Sequence, residues 1–133
     1  MSRLGFPKAE RLCGRKAAGI LFEKGRRISR PPLQLVYYFT EHAEPMLPEI
    51  RVLVTVSKRN FRLAHDRNRI KRQIREAWRL SRFLLMEKKS SETAPALQKA
   101  LHIALIYQSG KKEPYFVIRE ALENMLRTLA GKL

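Results

Sequence analysis

The sequence predicts an α+β fold in one domain, helices layered against a mostly antiparallel sheet. Three observations carry that reading. The chain has 133 residues, 44% of them hydrophobic, which suits a single core, and neither a repeat nor an internal boundary divides residues 1–133. Helix-like and strand-like apolar patterns follow one another as helix, two or three strands, helix, strand, helix. Before the last strand lies the most strongly two-sided stretch, Arg67 to Arg82, RNRIKRQIREAWRLSR, around which the rest is expected to be organised.

The first helix is expected from about Arg15 to Lys24, with Gly14 as its N-cap, Lys24 in its last turn and Gly25 beyond it. Ala17, Ile20 and Leu21 give it a short buried face. Phe22 lies off the centre of that face, on the side of Ala18, where both packing and an outward position in a cleft fit the spacing. Arg26, Arg27 and Arg30 form a basic connection, which Pro31 and Pro32 restrict to a short strand at most.

LQLVYYF, Leu33 to Phe39, is a strand by composition. Leu35, Tyr37 and Phe39 fall on one face, Val36 and Tyr38 on the other, so the strand is either central or presents aromatics to a ligand. The segment Thr40 to Glu49, with Pro45, Pro48 and three Glu, is the one acidic patch. Ile50 to Lys58 then alternates, with Ile50, Val52, Val54 and Val56 inward. Ser57, Lys58, Arg59 and Arg62 lead into the long helix, expected over 66–86 and capped by Asp66. EKKSSETAPALQ, interrupted by Pro95, reads as surface loop, and His102 to Tyr107 as a buried strand. Pro114 opens a final helix with Ile118, Leu122, Met125, Leu126 and Leu129 as its core stripe. Strand 50–57, helix 66–86 and strand 102–107 form a β-α-β crossover, right-handed by the general rule.

On the long helix, Ile70, Ile74, Ala77, Trp78, Ser81, Leu84 and Leu85 share one stripe, the spacing of a face packed on a core. Asn68, Lys71, Arg72, Arg75, Arg79 and Arg82 gather on its flank, within roughly a quarter to a third of a turn at about 100° per residue. Seven Lys/Arg between 67 and 82 face only Glu76, so pairs three and four apart repel rather than neutralise. A solvated face usually alternates its signs, and this one does not. Six of the seven are Arg, whose planar fork grips phosphate with two bonds and stacks on bases.

Over half of the net charge of +16 sits in residues 51–82, and the sequence pI is about 10.8. Such an excess predicts salt-sensitive attachment to a polyanion. The composition weighs against several other classes. One Asp and eleven Glu, spread over loops and helix surfaces, offer no carboxylate cluster for metal-dependent hydrolysis. His42, His65 and His102 stand at no ligand spacing, the sole cysteine Cys13 reads as an inert small side chain, and SGKK at 109–112 lacks the spacing of a phosphate-binding loop. No apolar run approaches a membrane span and no signal core opens the chain, so a reduced, cytoplasmic setting is expected.

VTVSKR, Val54 to Arg59, followed after a short basic loop by RNRIKRQIREAWR, resembles the RNR region of the bacterial ribonuclease P protein subunits, and ERL…LFEKGRR near the amino end agrees. The resemblance spans almost the whole chain. It implies an α/β sandwich of order αβββαβα with a left-handed β-α-β crossover, against the general rule. It also implies a protein that assists a catalytic RNA in removing the 5′ leader from precursor transfer RNA, leaving a 5′ phosphate. The RNA with Mg2+ performs the hydrolysis, and the protein holds no cofactor and has no protein partner. On this resemblance Arg67, Asn68, Arg69, Lys71, Arg72, Arg75 and Arg79, with Lys58 and Arg59, meet the catalytic RNA, and Phe22, Tyr37 and the position of Ala18 line a leader cleft. Where many relatives carry an aromatic one turn before Phe22 this chain has Ala18, which implies a smaller platform or one rebuilt from Tyr38 or Phe39. Two competing readings remain: a general RNA-binding module, and a basic amphipathic helix on a membrane surface.

Overall fold

A computed structural model describes residues 15–41, 50–85 and 99–132. Cys13, the cap expected at Gly14, His42, the acidic segment 42–49 and the loop 86–98 lie outside the described residues. The elements run α1 (Arg15–Lys24), β1 (Arg26–Arg30), β2 (Leu33–Glu41), β3 (Ile50–Val56), α2 (Ala64–Ser81), β4 (Lys99–Tyr107) and α3 (Tyr115–Lys132), the expected order.

The four strands form one sheet in the order β1-β2-β4-β3. β1 and β2 pair antiparallel, as do β2 and β4, whereas β3 and β4 are parallel neighbours joined through α2. β2 is therefore a central strand, which accounts for its two apolar faces. The short basic segment 26–30 is the edge strand, four of its five side chains exposed, and charge on an edge discourages pairing with other chains.

Alternation along the strands sends two sets of side chains to opposite faces. Leu33, Leu35, Tyr37, Ile50, Val52, Leu101, Ile103, Leu105 and Tyr107 enter the main core, closed from above by α2 and α3. Val36 and Ala104 point the other way and are covered by Leu21 of α1. The sheet and the α2–α3 pair are thus the two principal layers, and α1 crosses the outer face. Within the main core Ile70, Ile74, Ala77, Trp78 and Ser81 of α2 are all buried, as their period predicts, and so are Ile118, Leu122, Met125, Leu126 and Leu129 of α3.

The start of α2 differs from expectation. Asp66 is not its cap: the helix begins at Ala64 after Leu63, whose backbone is extended at φ −80 and ψ 128 and which gives no side-chain cap bond. The N–H groups of Asp66 and Arg67 already reach the Leu63 carbonyl, at 3.1 and 3.2 Å, so Asp66 lies inside the first turn. Its carboxylate instead receives the ammonium of Lys112 at 2.8 Å, and it still lies favourably at the positive end of the helix dipole.

Gly25 is where α1 is brought down onto the sheet. A β-carbon there would stand 2.4 Å from the Leu21 carbonyl oxygen and 2.6 Å from Val36 Cγ1, whereas at Gly19, in mid-helix, it would meet nothing within 4 Å. The two glycines should respond oppositely to the same change. We expect Gly25→Ala to destabilise the domain by about 1–3 kcal/mol through overpacking, and Gly19→Ala to stabilise it by about 0.5–1 kcal/mol through helix propensity. Urea unfolding of both variants checks this, and equal shifts would contradict the packing assigned to Gly25.

Candidate nucleic-acid interface

α2 presents three sectors around its axis, at about 100° per residue. The inner stripe is buried. On the side toward α3 lie Asp66, bound to Lys112, and Glu76, whose neighbours include Tyr115 at the start of α3. The remaining flank carries Asn68, Lys71, Arg72, Arg75, Arg79 and Arg82, with Arg79 still within electrostatic reach of Tyr115 at the start of α3. Asn68 and Arg72 are exposed, and the other four are half-buried, their stems lying along the helix while their charges reach outward.

These cations are not equivalent. The Nε–H of Arg79 donates to Glu76 Oε2 at 3.2 Å and a second guanidinium nitrogen donates to Oε1. That bond holds the Glu76 carboxyl below its usual range and raises Arg79 above its own, so Arg79 adds little net positive charge to the flank. Arg67 falls at roughly 60° from Ile70, between Ile74 and Trp78, on the inner side. Its Nη1 donates to the carbonyls of Phe61 and Arg62, both at 2.9 Å. Arg67, expected to meet the catalytic RNA, thereby also ties down the 57–63 loop. Arg69 is exposed on the opposite flank, beside Asp66. Of the RNR triplet, then, only Asn68 stands in the basic sector.

The tied loop presents Lys58 and Arg59, both exposed, at the amino end of α2. Phe61 anchors it from below, its ring 5.9 Å from that of Tyr107. Because β3 and β4 are parallel neighbours, the loops that follow them emerge at one end of the sheet, and this adds Lys111 and Lys112 to the basic surface. Tyr107 pins the second loop, its hydroxyl donating to the Lys111 carbonyl and accepting the Glu113 N–H at 2.9 Å. Sequence reasoning did not include Lys111; its signal was the parallel pairing, which the local pattern does not contain.

The outer face of the sheet forms the second region. Register places Tyr38, His102 and Arg51 side by side across three strands, with Val36, Ala104 and Leu53 in the next row. Phe22 of α1 and Tyr38 pack at the rim of the Leu21 cluster and remain half-exposed, and Ala18 is half-buried one turn before Phe22. Burial, and secondarily the charge of Arg51, lower the pKa of His102, which leaves it neutral at pH 7. Tyr37 does not belong here. It points into the opposite core, 6% exposed, with its ring edge-on to Phe39 at 6.2 Å. Of the cleft residues expected from sequence, the structure brings Phe22 and Ala18 together with Tyr38, not with Tyr37.

Among the described residues no three His, Cys, Asp or Glu side chains come together, and no helix is long and apolar enough to cross a membrane. The bonds of Arg67 identify it as a positioning residue. We expect Arg67→Ala to cost about 1.5–3 kcal/mol, as for hydrogen bonds to a charged donor, and to speed amide exchange in residues 57–63. Exposed Arg72→Ala should leave both unchanged; equal behaviour of the two variants would contradict the assignment.

Comparison with known proteins shows the family. The model of the Ribonuclease P family matches residues 6–130. A ribonuclease P protein component from Porphyromonas gingivalis W83 is 31% identical over 129 residues, covering 97% of this chain and 89% of that protein. One from Chlorobaculum tepidum is 42% identical over 81 residues, 59% of this chain and 52% of that protein. The ribonuclease P proteins of Staphylococcus aureus and Thermotoga maritima, at 22% and 20% identity, have the same fold, with TM-scores of 0.66 and 0.64 over 92% and 90% of this chain and 96% of each of theirs. The match covers nearly the whole chain, both regions of the candidate interface included, and the chain belongs to the ribonuclease P protein family.

Proposed function

We propose that this chain is the RNA-binding protein subunit of ribonuclease P. It binds the catalytic RNA through the basic flank of α2 and holds the 5′ leader of precursor transfer RNA on the outer face of the sheet, in the cytoplasm. The observation that carries the reading is the flank itself: Lys71, Arg72, Arg75 and Arg82 with Asn68, on a helix whose opposite stripe is fixed in the core. Glu76 tempers it by engaging Arg79. Such a surface is a rigid row of guanidinium forks set for phosphates.

Hydrolysis belongs, on this reading, to the RNA and its Mg2+, and the protein contributes placement. Phe22 and Tyr38 offer stacking to unpaired bases without reading their edges, which suits a subunit that accepts leaders of many sequences. The burial of Ile70, Ile74 and Trp78 argues against the membrane alternative, since the apolar side of α2 has no surface left for a bilayer. The general RNA-binding alternative differs in selectivity and is separated by assay.

That assay is cleavage of a 5′-labelled precursor transfer RNA by a bacterial ribonuclease P RNA at low Mg2+, with and without the protein. We expect accurate leader removal to be rescued and the protein alone to cut nothing; binding without rescue would favour the general module. For the flank, Arg72→Ala and Arg75→Ala should each weaken binding to the catalytic RNA and reduce the log–log salt slope by about one unit. For the outer face, Phe22→Ala and Tyr38→Ala should each weaken leader binding by about 1–3 kcal/mol. Unchanged leader binding in both variants would contradict the outer-face assignment.

A further inference from the structure

At the end of the sheet away from the start of α2 is an open pocket of about 410 Å3, lined by Lys24, Arg26, Tyr37, Tyr38, Phe39 and Lys132. Three elements converge to make it. α1 ends at Lys24, and Gly25 lets the chain turn onto β2, its N–H bonded to the Leu21 carbonyl at 2.8 Å. β1 starts at Arg26 opposite Tyr37, so β2 runs on past it to Glu41 with β4 as its one partner. α3 descends across the inner face and brings Lys132 to the same point.

Cations in the last turn of a helix complement its dipole, and that alone accounts for Lys24 and Lys132. It does not account for Arg26, which sits on a strand, or for the rings. Among the residues whose side chains are described no carboxylate lines the pocket and none of the three cations has an acidic partner. Tyr38 and Phe39 are only half-buried. Unneutralised cations around partly exposed aromatics match a single nucleic-acid strand, with phosphates on the charges and bases against the rings.

Position identifies which strand. Tyr38 belongs both to this pocket and to the Phe22 cluster, so RNA lying on the outer face meets the pocket at Tyr38 and continues round the end of β2 toward Phe39 and Lys132. The pocket lies at the β1–β2 side of the sheet, away from β3, the strand on which α2 packs. We infer that Lys24, Arg26 and Lys132, with Tyr38 and Phe39, form a second single-stranded RNA subsite that takes the leader nucleotides farthest from the catalytic RNA. The inference rests on the leader-binding role proposed above and extends it.

The test uses the holoenzyme reconstituted with a bacterial ribonuclease P RNA and precursors carrying leaders of about 2 or about 10 nucleotides, below and within the footprint of single-strand-binding folds. Lys24→Ala/Arg26→Ala/Lys132→Ala alters exposed side chains only, and its far-ultraviolet circular dichroism should match the parent. We expect unchanged Kd for the short leader, several-fold weaker binding of the long one, and, on the long leader alone, a salt slope lower by about 0.7 for each phosphate released. Unchanged affinity and slope with the long leader would overturn the subsite. Phe22→Ala, measured in parallel, separates the two ideas. If it weakens leader binding while the triple variant does not, the pocket fails and the outer-face reading stands; if the triple variant loses the long leader while Phe22→Ala loses nothing, the pocket stands and the outer-face reading fails.

Discussion

Everything in this fold depends on burying one side of α2. Trp78, fully enclosed, with Ile70, Ile74 and Ala77, fills the space between the sheet and α3, and these side chains fix the rotation of the helix about its axis. Rotation is the quantity that matters for function, because the basic sector is defined only relative to the buried one. A charged helix free in solution would spread its cations by fluctuation. Clamped by its core stripe, it holds them in one sector of the helix surface, where a polyanion can meet several of them at once.

The amino end of α2 shows how few groups maintain that arrangement. Arg67 bonds back to two carbonyls of the preceding loop, and Asp66 reaches across to Lys112 in the loop before α3. The hydrogen bond from Lys112 keeps the Asp66 carboxyl below its ordinary range, with smaller help from His65 and Arg69. Two loops that would otherwise wander with their lysines and arginines are thereby held at one end of the sheet, where the helix dipole is also positive.

Much of this is legible in the sequence, and the failures have identifiable causes. Periodicity places the described helices, β2, β3 and the 102–107 part of β4, and the buried stripes of α2 and α3, because those patterns are set by local geometry, whereas β1 and the start of β4 at Lys99 carry no such pattern. Asp66 reads as a cap because the residue type fits, while the true cap, Leu63, has no side-chain signal: its role comes from backbone conformation alone. Alternation correctly sorts Tyr37 and Tyr38 to opposite faces, but which face lies under α1 depends on Leu21 meeting Val36 and Ala104, a long-range contact that no window along the chain contains. The inward angle of Arg67, roughly 60° from Ile70, is legible too, yet its partners are carbonyls, and carbonyls are invisible in a string of side chains.

The place of β4 in the sheet has a consequence for biosynthesis. β4 stands between β2 and β3, which have no ladder with each other, so the strands made earlier remain two unconnected pieces until residues 99–107 are available. While the chain is being made, α2 precedes the surface it must pack on, with Trp78 and its neighbours exposed beside a dense row of cations. Such a chain is open to collapse and to promiscuous attachment to any nearby RNA, hazards expected of sheets closed by distant pairing. Selective recognition is therefore a property acquired only once residues 99–107 are free to pair.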